Sequence, residues 1–301
     1  MPNSKITIID GGVGTEISRR GLPLHPSYWS AAAHMTHPDT MLQIHIDFIN
    51  AGADIISANT FMAGRHILAA GGLKDFEVIN KKAIQLAKTA RTESGNENLQ
   101  VAGTLSTLPP LDQADDISRG KQIEINYRDQ ASLLAESGAD ILLVEMLFDS
   151  ESAASLLSAC CDTGLPVWAG VSATTIPNTE ALMTFRQQGK LEKLPHETFD
   201  SLIKTVVDFP VAALGVMHTE VKLMPSALNT LKKRWQGRTL AYAKTGLATN
   251  HDWEFERVID ADEYSEIMSD WVDTYGLDII GGCCGMSPAL IDALSKRIHN
   301  R

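Results

Sequence analysis

A closed (β/α)8 barrel is the fold this sequence predicts, on three observations. Eight short apolar runs recur at spacings of about 30 to 45 residues, with amphipathic helical stretches between them, the rhythm of consecutive strand-plus-helix units. No Pro/Ser-rich linker or shift in composition divides the chain, so residues 1–301 read as one domain. At 44% hydrophobic and 21% charged, the chain has apolar material for one large core or two modest ones. The alternative is an open doubly wound sheet, which calls for a glycine-rich phosphate turn followed by an acidic residue on the next strand. Gly11-Gly12-Val13-Gly14 lacks the full G-x-G-x-x-G spacing, and the barrel is preferred.

The expected strands are Ile6 to Ile9, Asp54 to Ala58, Leu99 to Gly103, Asp140 to Glu145, Val167 to Ser172, Val211 to Met217, Thr239 to Lys244 and Leu277 to Gly281. Chemistry in such a barrel belongs at the C-terminal ends of the strands, so the residues leaving each strand are the ones to inspect. Strand one ends in Asp10, ahead of Gly11-Gly12-Val13-Gly14-Thr15-Glu16. That carboxylate can hold an ammonium group while the glycines let backbone N–H groups approach a carboxylate, or it can simply cap the turn. Strand two runs into Asn59-Thr60-Phe61, polar groups that either line a pocket or cap the next helix. Strand three, ending Gly103-Thr104-Leu105-Ser106, is uninformative by itself. Strand four delivers Glu145 directly after four apolar residues, against the alternative of an exposed loop carboxylate. Strand six ends in Gly215-Val216-Met217-His218, and a lone histidine is more often a structural donor than a ligand. Strand seven ends in Tyr242-Ala243-Lys244, placing a phenol and an amine at the mouth.

Strand eight runs straight into Gly281-Gly282-Cys283-Cys284-Gly285. Neighbouring side chains on a strand point to opposite faces, so two thiols converge only if the backbone leaves the strand, as the glycines permit. A disulfide between neighbours needs a strained ring, which favours two sulfurs gripping one metal ion over buried thiols acting as small hydrophobes. Cys160-Cys161 falls in a helical pattern, about 100° apart, and is assigned to packing. His34, His37 and His45 lack an accompanying carboxylate or cysteine and are assigned to surface and helix positions.

Lys plus Arg number 26 against 37 Asp plus Glu, a net charge of -11 that argues against nucleic-acid or anionic-membrane partners. With no signal-type apolar run, no stretch of about 18 apolar residues, and cysteines that resemble no disulfide framework, a cytoplasmic location is expected. Oligomeric state is left open, a homo-oligomer included.

Several motifs together resemble the zinc-dependent homocysteine S-methyltransferase family. Asp10-Gly11-Gly12-Val13-Gly14-Thr15-Glu16 is similar to its opening D-G-x-x-G-T-E, Ala51-Gly52-Ala53-Asp54 through Asn59-Thr60-Phe61 to its A-G-A-D…N-T-F, and Gly281 to Gly285 with Ser287-Pro288 to its closing G-G-C-C-G…P. The resemblance implies a barrel whose zinc is held by three cysteines. By position, Cys283 and Cys284 would be zinc ligands, Asp10 and Glu145 would bind the homocysteine ammonium, and Gly11, Gly12, Thr15, Asn59 and Thr60 would line the substrate pocket. It also implies methyl transfer from a cationic donor, such as S-methylmethionine, S-adenosylmethionine or a betaine, to an amino-acid thiol. This chain departs twice: His218 stands where the family has its third cysteine, and Ala243-Lys244 replaces Pro-Asn in Y-P-N-x-G. Imidazole is a good zinc ligand, so a Cys2His site is the expectation. The departures also keep open another thiol or selenol acceptor, a corrinoid partner, or a non-catalytic metal-binding relative.

Overall fold

The computed structural model describes residues 5–112, 120–175, 181–184, 197–248, 255–256 and 259–299. Eight parallel strands form the barrel: β1 (Thr7–Ile8), β2 (Ile55–Ala58), β3 (Gln100–Ser106), β4 (Ile141–Leu147), β5 (Val167–Val171), β6 (Ala213–Glu220), β7 (Thr239–Lys244) and β8 (Ile279–Ile280). They pair in the order β1-β8-β7-β6-β5-β4-β3-β2, and an Ile9–Ile55 bridge joins the two ends. Helices between the strands form the outer layer. Two short antiparallel ribbons, Ala173–Thr175 with Leu182–Thr184 and Leu247–Ala248 with Phe255–Glu256, are additions the sequence did not announce.

Alternation along each strand splits the core in two. Ile9, Ile55, Ile141, Leu143, Trp168, Met217, Leu240, Tyr242 and Ile279 belong to one buried cluster, which fills the barrel. Their neighbours Ile8, Ile56, Leu142, Val144, Val167, Leu214, Val216, Ala241 and Ile280 belong to another, packed beneath the helices.

A repeated device secures the N-terminal end of the barrel. Gly52-Ala53-Asp54, Gly138-Ala139-Asp140 and Gly276-Leu277-Asp278 each lead from a helix into a strand, and the glycines take φ values of 97°, 92° and 61°. Only glycine adopts those angles at little cost, so each marks a helix end. The aspartate that follows grips the neighbouring strand twice. The N–H groups of Asp54, Asp140 and Asp278 donate to the carbonyls of Ile8, Val101 and Thr239, at 2.8, 2.8 and 2.9 Å. Their carboxylates accept the N–H groups of those same residues, at 3.0, 2.8 and 2.8 Å.

Strands β1 and β8 are shorter than the sequence suggested, although bonding between them runs on: the Ile9 N–H donates to the Ile280 carbonyl at 2.8 Å and the Gly282 N–H to the Asp10 carbonyl at 3.3 Å. A Cβ on Gly281 would lie 2.8 Å from the Ile9 carbonyl oxygen. The assignment of His34 and His45 to surface positions is corrected: both are only 1% exposed. His45 lies on the helix Pro38–Asn50 beside Ile44 and Phe48, and His34 Nε2 lies 2.8 Å from the Ile79 carbonyl. Burial lowers both pKa values to about 4, which leaves the rings neutral.

Candidate metal centre and amino-acid pocket

Regular alternation would turn His218 outward, since Met217 before it faces the barrel interior. The chain avoids this with a register shift between Met217 and Glu220, and His218 takes φ 45°. A matching irregularity lies between Val144 and Leu147 on β4, where Met146, directly after Glu145, takes φ 53°. Left-handed backbone at a non-glycine residue costs on the order of 1–3 kcal/mol and persists where the surroundings enforce it, typically at functional sites.

The β6 bulge brings His218 against the cysteine pair. His218 Nδ1 lies 3.3 Å from Cys283 Sγ and 3.4 Å from Cys284 Sγ, and the sulfurs are 3.8 Å apart. With metal–sulfur and metal–nitrogen distances of about 2.3 and 2.05 Å, a tetrahedral zinc would need sulfurs about 3.8 Å apart and each sulfur about 3.6 Å from nitrogen. The three donors fit that triangle and leave a fourth position for a substrate. His218 and Cys284 are buried, while Cys283 is half-buried at the mouth. Hydrogen bonding with Cys284, together with burial, holds the Cys283 thiol well above its usual pKa, so without a cation the site favours the neutral thiol. A bound dication reverses that preference.

The opening motif clamps the loop that carries the cysteines. Gly12 packs so tightly there that a Cβ would fall 2.8 Å from the Cys283 carbonyl oxygen. Gly11 likewise meets the Met286 carbonyl, at 2.6 Å. Thr15 Oγ1 accepts the Gly285 N–H at 3.4 Å, and Arg19, paired with the buried Glu16, donates to the Gly285 carbonyl at 3.2 Å. From the other side, Thr245 donates through its N–H to the Cys284 carbonyl at 3.1 Å, and Tyr264 Oη donates to the Gly281 carbonyl at 2.9 Å.

Asp10 is buried, its two carboxylate oxygens accepting the Ser57 N–H at 2.7 Å and the Ser57 hydroxyl at 2.8 Å. Burial outweighs those bonds and raises its pKa to about 7. Glu145 is also pushed up to about 7, mainly by burial; the hydrogen bond from Tyr242 Oη, at 2.9 Å, opposes the rise and the Asp10 charge adds to it. Two buried carboxylates that sense each other leave negative charge in the barrel mouth once they ionise, an arrangement chemically suited to a compact cation.

The other residues expected in the pocket also bond within the protein. Asn59 bonds Ser30 through both ends of its amide, at 3.0 and 2.7 Å, and Thr60 Oγ1 donates to the Thr104 carbonyl at 2.8 Å. Together with Gly11, Gly12 and Thr15, they brace the walls. Lys244 Nζ lies 3.9 Å from Glu220 Oε1, and that carboxylate also pairs with Lys222 at 2.8 Å. Sequence reasoning missed Ser57, whose signal was a lone hydroxyl in the apolar strand Ile55–Ala58. It also missed the link between Tyr242 and Glu145, which leaves no local signal. Among the described residues, His218, Cys283 and Cys284 are the cluster of donors close enough to share a metal ion. No helix among those residues is long and apolar enough to cross a membrane.

The family model for homocysteine S-methyltransferase matches residues 7–298. Homocysteine S-methyltransferase 2 of Arabidopsis thaliana is 25% identical, over 98% of this chain and 93% of its own. Selenocysteine Se-methyltransferase of Brassica oleracea var. italica is 24% identical, over 98% of this chain and 89% of its own. Among solved structures, the metallated form of the homocysteine methyltransferase MmuM from Escherichia coli superposes with a TM-score of 0.76 at 23% identity, covering 98% of this chain and 97% of that one. That likeness supports the barrel.

Proposed function

Given that the chain belongs to the homocysteine S-methyltransferase family, we propose that this methyltransferase is zinc-dependent and moves a methyl group from a cationic donor to the thiol of homocysteine, giving methionine. The observation that carries the reading is the triangle of two sulfurs and one imidazole nitrogen, lying in a barrel mouth that also holds two buried carboxylates.

A zinc ion held by Cys283, Cys284 and His218 would supply a Lewis acid that binds the acceptor thiol and favours its thiolate form. Asp10 and Glu145 hold the acceptor's ammonium group and so aim its side chain at the metal centre. The acceptor sulfur's electron pair forms the new S–C bond as the bond between the methyl carbon and the donor's positively charged sulfur or nitrogen breaks. The broken bond's electrons neutralise that atom. No proton moves in this step, so the residues around it need only align the reactants. S-Methylmethionine, S-adenosylmethionine and betaines all meet the requirement for a cationic donor.

The test is to incubate the zinc-loaded protein with L-homocysteine and each donor in turn and measure methionine. Methionine from at least one donor is the expected result, and none from any donor overturns the reading. Because a selenocysteine Se-methyltransferase is among the relatives, selenocysteine is the second acceptor to try.

A further inference from the structure

We propose that Tyr242 is a positioning residue whose hydroxyl holds the Glu145 carboxylate in the orientation that receives the acceptor's ammonium group. The inference rests on the reading that Asp10 and Glu145 bind that group.

The two carboxylates are anchored differently. Asp10 is tied to β2 by two bonds from Ser57, at 2.7 and 2.8 Å, and keeps its place whatever Glu145 does. Among the described residues, the Glu145 carboxylate has one hydrogen-bond partner, Tyr242 Oη at 2.9 Å. Its backbone pairs with β3 opposite Ser106, but the ladder to β5 slips between Val144 and Leu147, next to Met146 at φ 53°, which leaves the orientation of the carboxylate itself to the phenol. Asp10 and Glu145 also repel one another when both are charged, which drives an untethered Glu145 side chain toward other rotamers. The Tyr242 hydroxyl opposes that drift.

The barrel keeps a place for this hydroxyl. Tyr242 is 1% exposed, its ring packed in the interior cluster with Met217 and Trp168. Across from it, β5 carries Gly170, where a Cβ would stand 3.2 Å from Tyr242 Oη and 2.6 Å from Met217 Cγ. The missing side chain at 170 lets the phenol reach across from β7 to β4. The phenol springs from β7, the strand that lies between β6, which carries His218, and β8, which runs into Cys283 and Cys284, so its hydroxyl links the ammonium pocket to the flank of the metal centre. Its placement therefore sets the distance between the two ends of the acceptor.

The test compares wild type and Tyr242→Phe, both zinc-loaded, using as donor whichever of S-methylmethionine, S-adenosylmethionine and glycine betaine is turned over, and two acceptors: L-homocysteine, and 4-mercaptobutanoate, which lacks the amino group. Losing a hydrogen bond to a charged group should raise the KM for homocysteine by about ten- to hundredfold, with kcat little changed because the bond lies away from the reacting atoms. Zinc content and the KM for 4-mercaptobutanoate should stay as in wild type. Adding Tyr242→Phe to Glu145→Gln should raise the homocysteine KM less than about threefold further, since the group being positioned is already altered. If Tyr242→Phe does not fold, Gly170→Ala crowds the same hydroxyl as well as Met217, and with rates taken per bound zinc it should produce the same acceptor-selective rise in KM. An unchanged homocysteine KM, an equal loss with both acceptors, or full additivity with Glu145→Gln overturns the proposal alone. A zinc-loaded wild type that methylates neither acceptor overturns the reading beneath it as well.

Discussion

Replacing His218 by alanine tests the proposed metal centre at its one nitrogen donor. The imidazole nitrogen stands 3.3 and 3.4 Å from the two sulfurs, which are themselves 3.8 Å apart, so it supplies two of the three edges of the donor triangle. Without it, two adjacent sulfurs remain on a glycine-bracketed loop. Losing a residue that merely orients a metal ligand costs 10- to 100-fold in affinity at typical sites, and losing a ligand should cost at least the upper end of that range. Zinc binding by His218→Ala should therefore weaken by about a hundredfold or more, which is ~2.8 kcal/mol or more. Competition against a chromophoric chelator at pH 7.5, with elemental analysis after dialysis and circular dichroism to verify the fold, reads the effect. His218→Cys should bind zinc, because a sulfur on the same bulge stays within reach of the site. Unchanged zinc affinity in both His218→Ala and Cys283→Ser would refute the assignment of these three residues to one ion.

Three more outcomes follow from the same geometry. Between pH 4.5 and about 7 native Glu145 keeps a proton that the unfolded chain has lost, so its burial costs stability increasingly as pH rises through that window. Glu145→Gln should accordingly be more stable than wild type at pH 8, by on the order of 2–3 kcal/mol in urea unfolding, and the advantage should fade towards pH 4.5. Gly12→Ala places a methyl group 2.8 Å from the Cys283 carbonyl oxygen, and the loop must move to admit it. Elemental analysis should show lost zinc, and thermal melts a cost of about 1–3 kcal/mol. Asp140→Ala removes an acceptor 2.8 Å from the Val101 N–H and 2.8 Å from Arg91 Nη1 at the opposite end of the barrel. It should lower the urea midpoint by the equivalent of about 1–3 kcal/mol while leaving zinc stoichiometry intact.

Period and turn chemistry made the barrel legible. Ile141-Leu142-Leu143-Val144 and Val167-Trp168-Ala169-Gly170-Val171 read as fully buried strands, and they are. The glycines around Cys283 and Cys284 announced the departure from the strand that lets both sulfurs face one point. Strand ends were less legible. β6 continues to Glu220 and β4 to Leu147 because bulges let each chain keep pairing past the point where the apolar pattern stops. His45 was misplaced because a neutral imidazole in a helix reads as polar in the sequence, yet it packs among Ile44 and Phe48.

By itself the sequence determined eight strand-plus-helix units, the glycine-bracketed exit from β8 and the chemical identity of the donors at the mouth. Local periodicity and glycine's backbone freedom settle such features within a few residues. Tertiary structure alone decided that His218 turns inward, that Asp10 leans on Ser57, and that Tyr242 reaches Glu145 from 97 positions away. A one-residue slip in strand pairing reverses the face a side chain presents, and that slip is set by contacts between strands far apart in the chain.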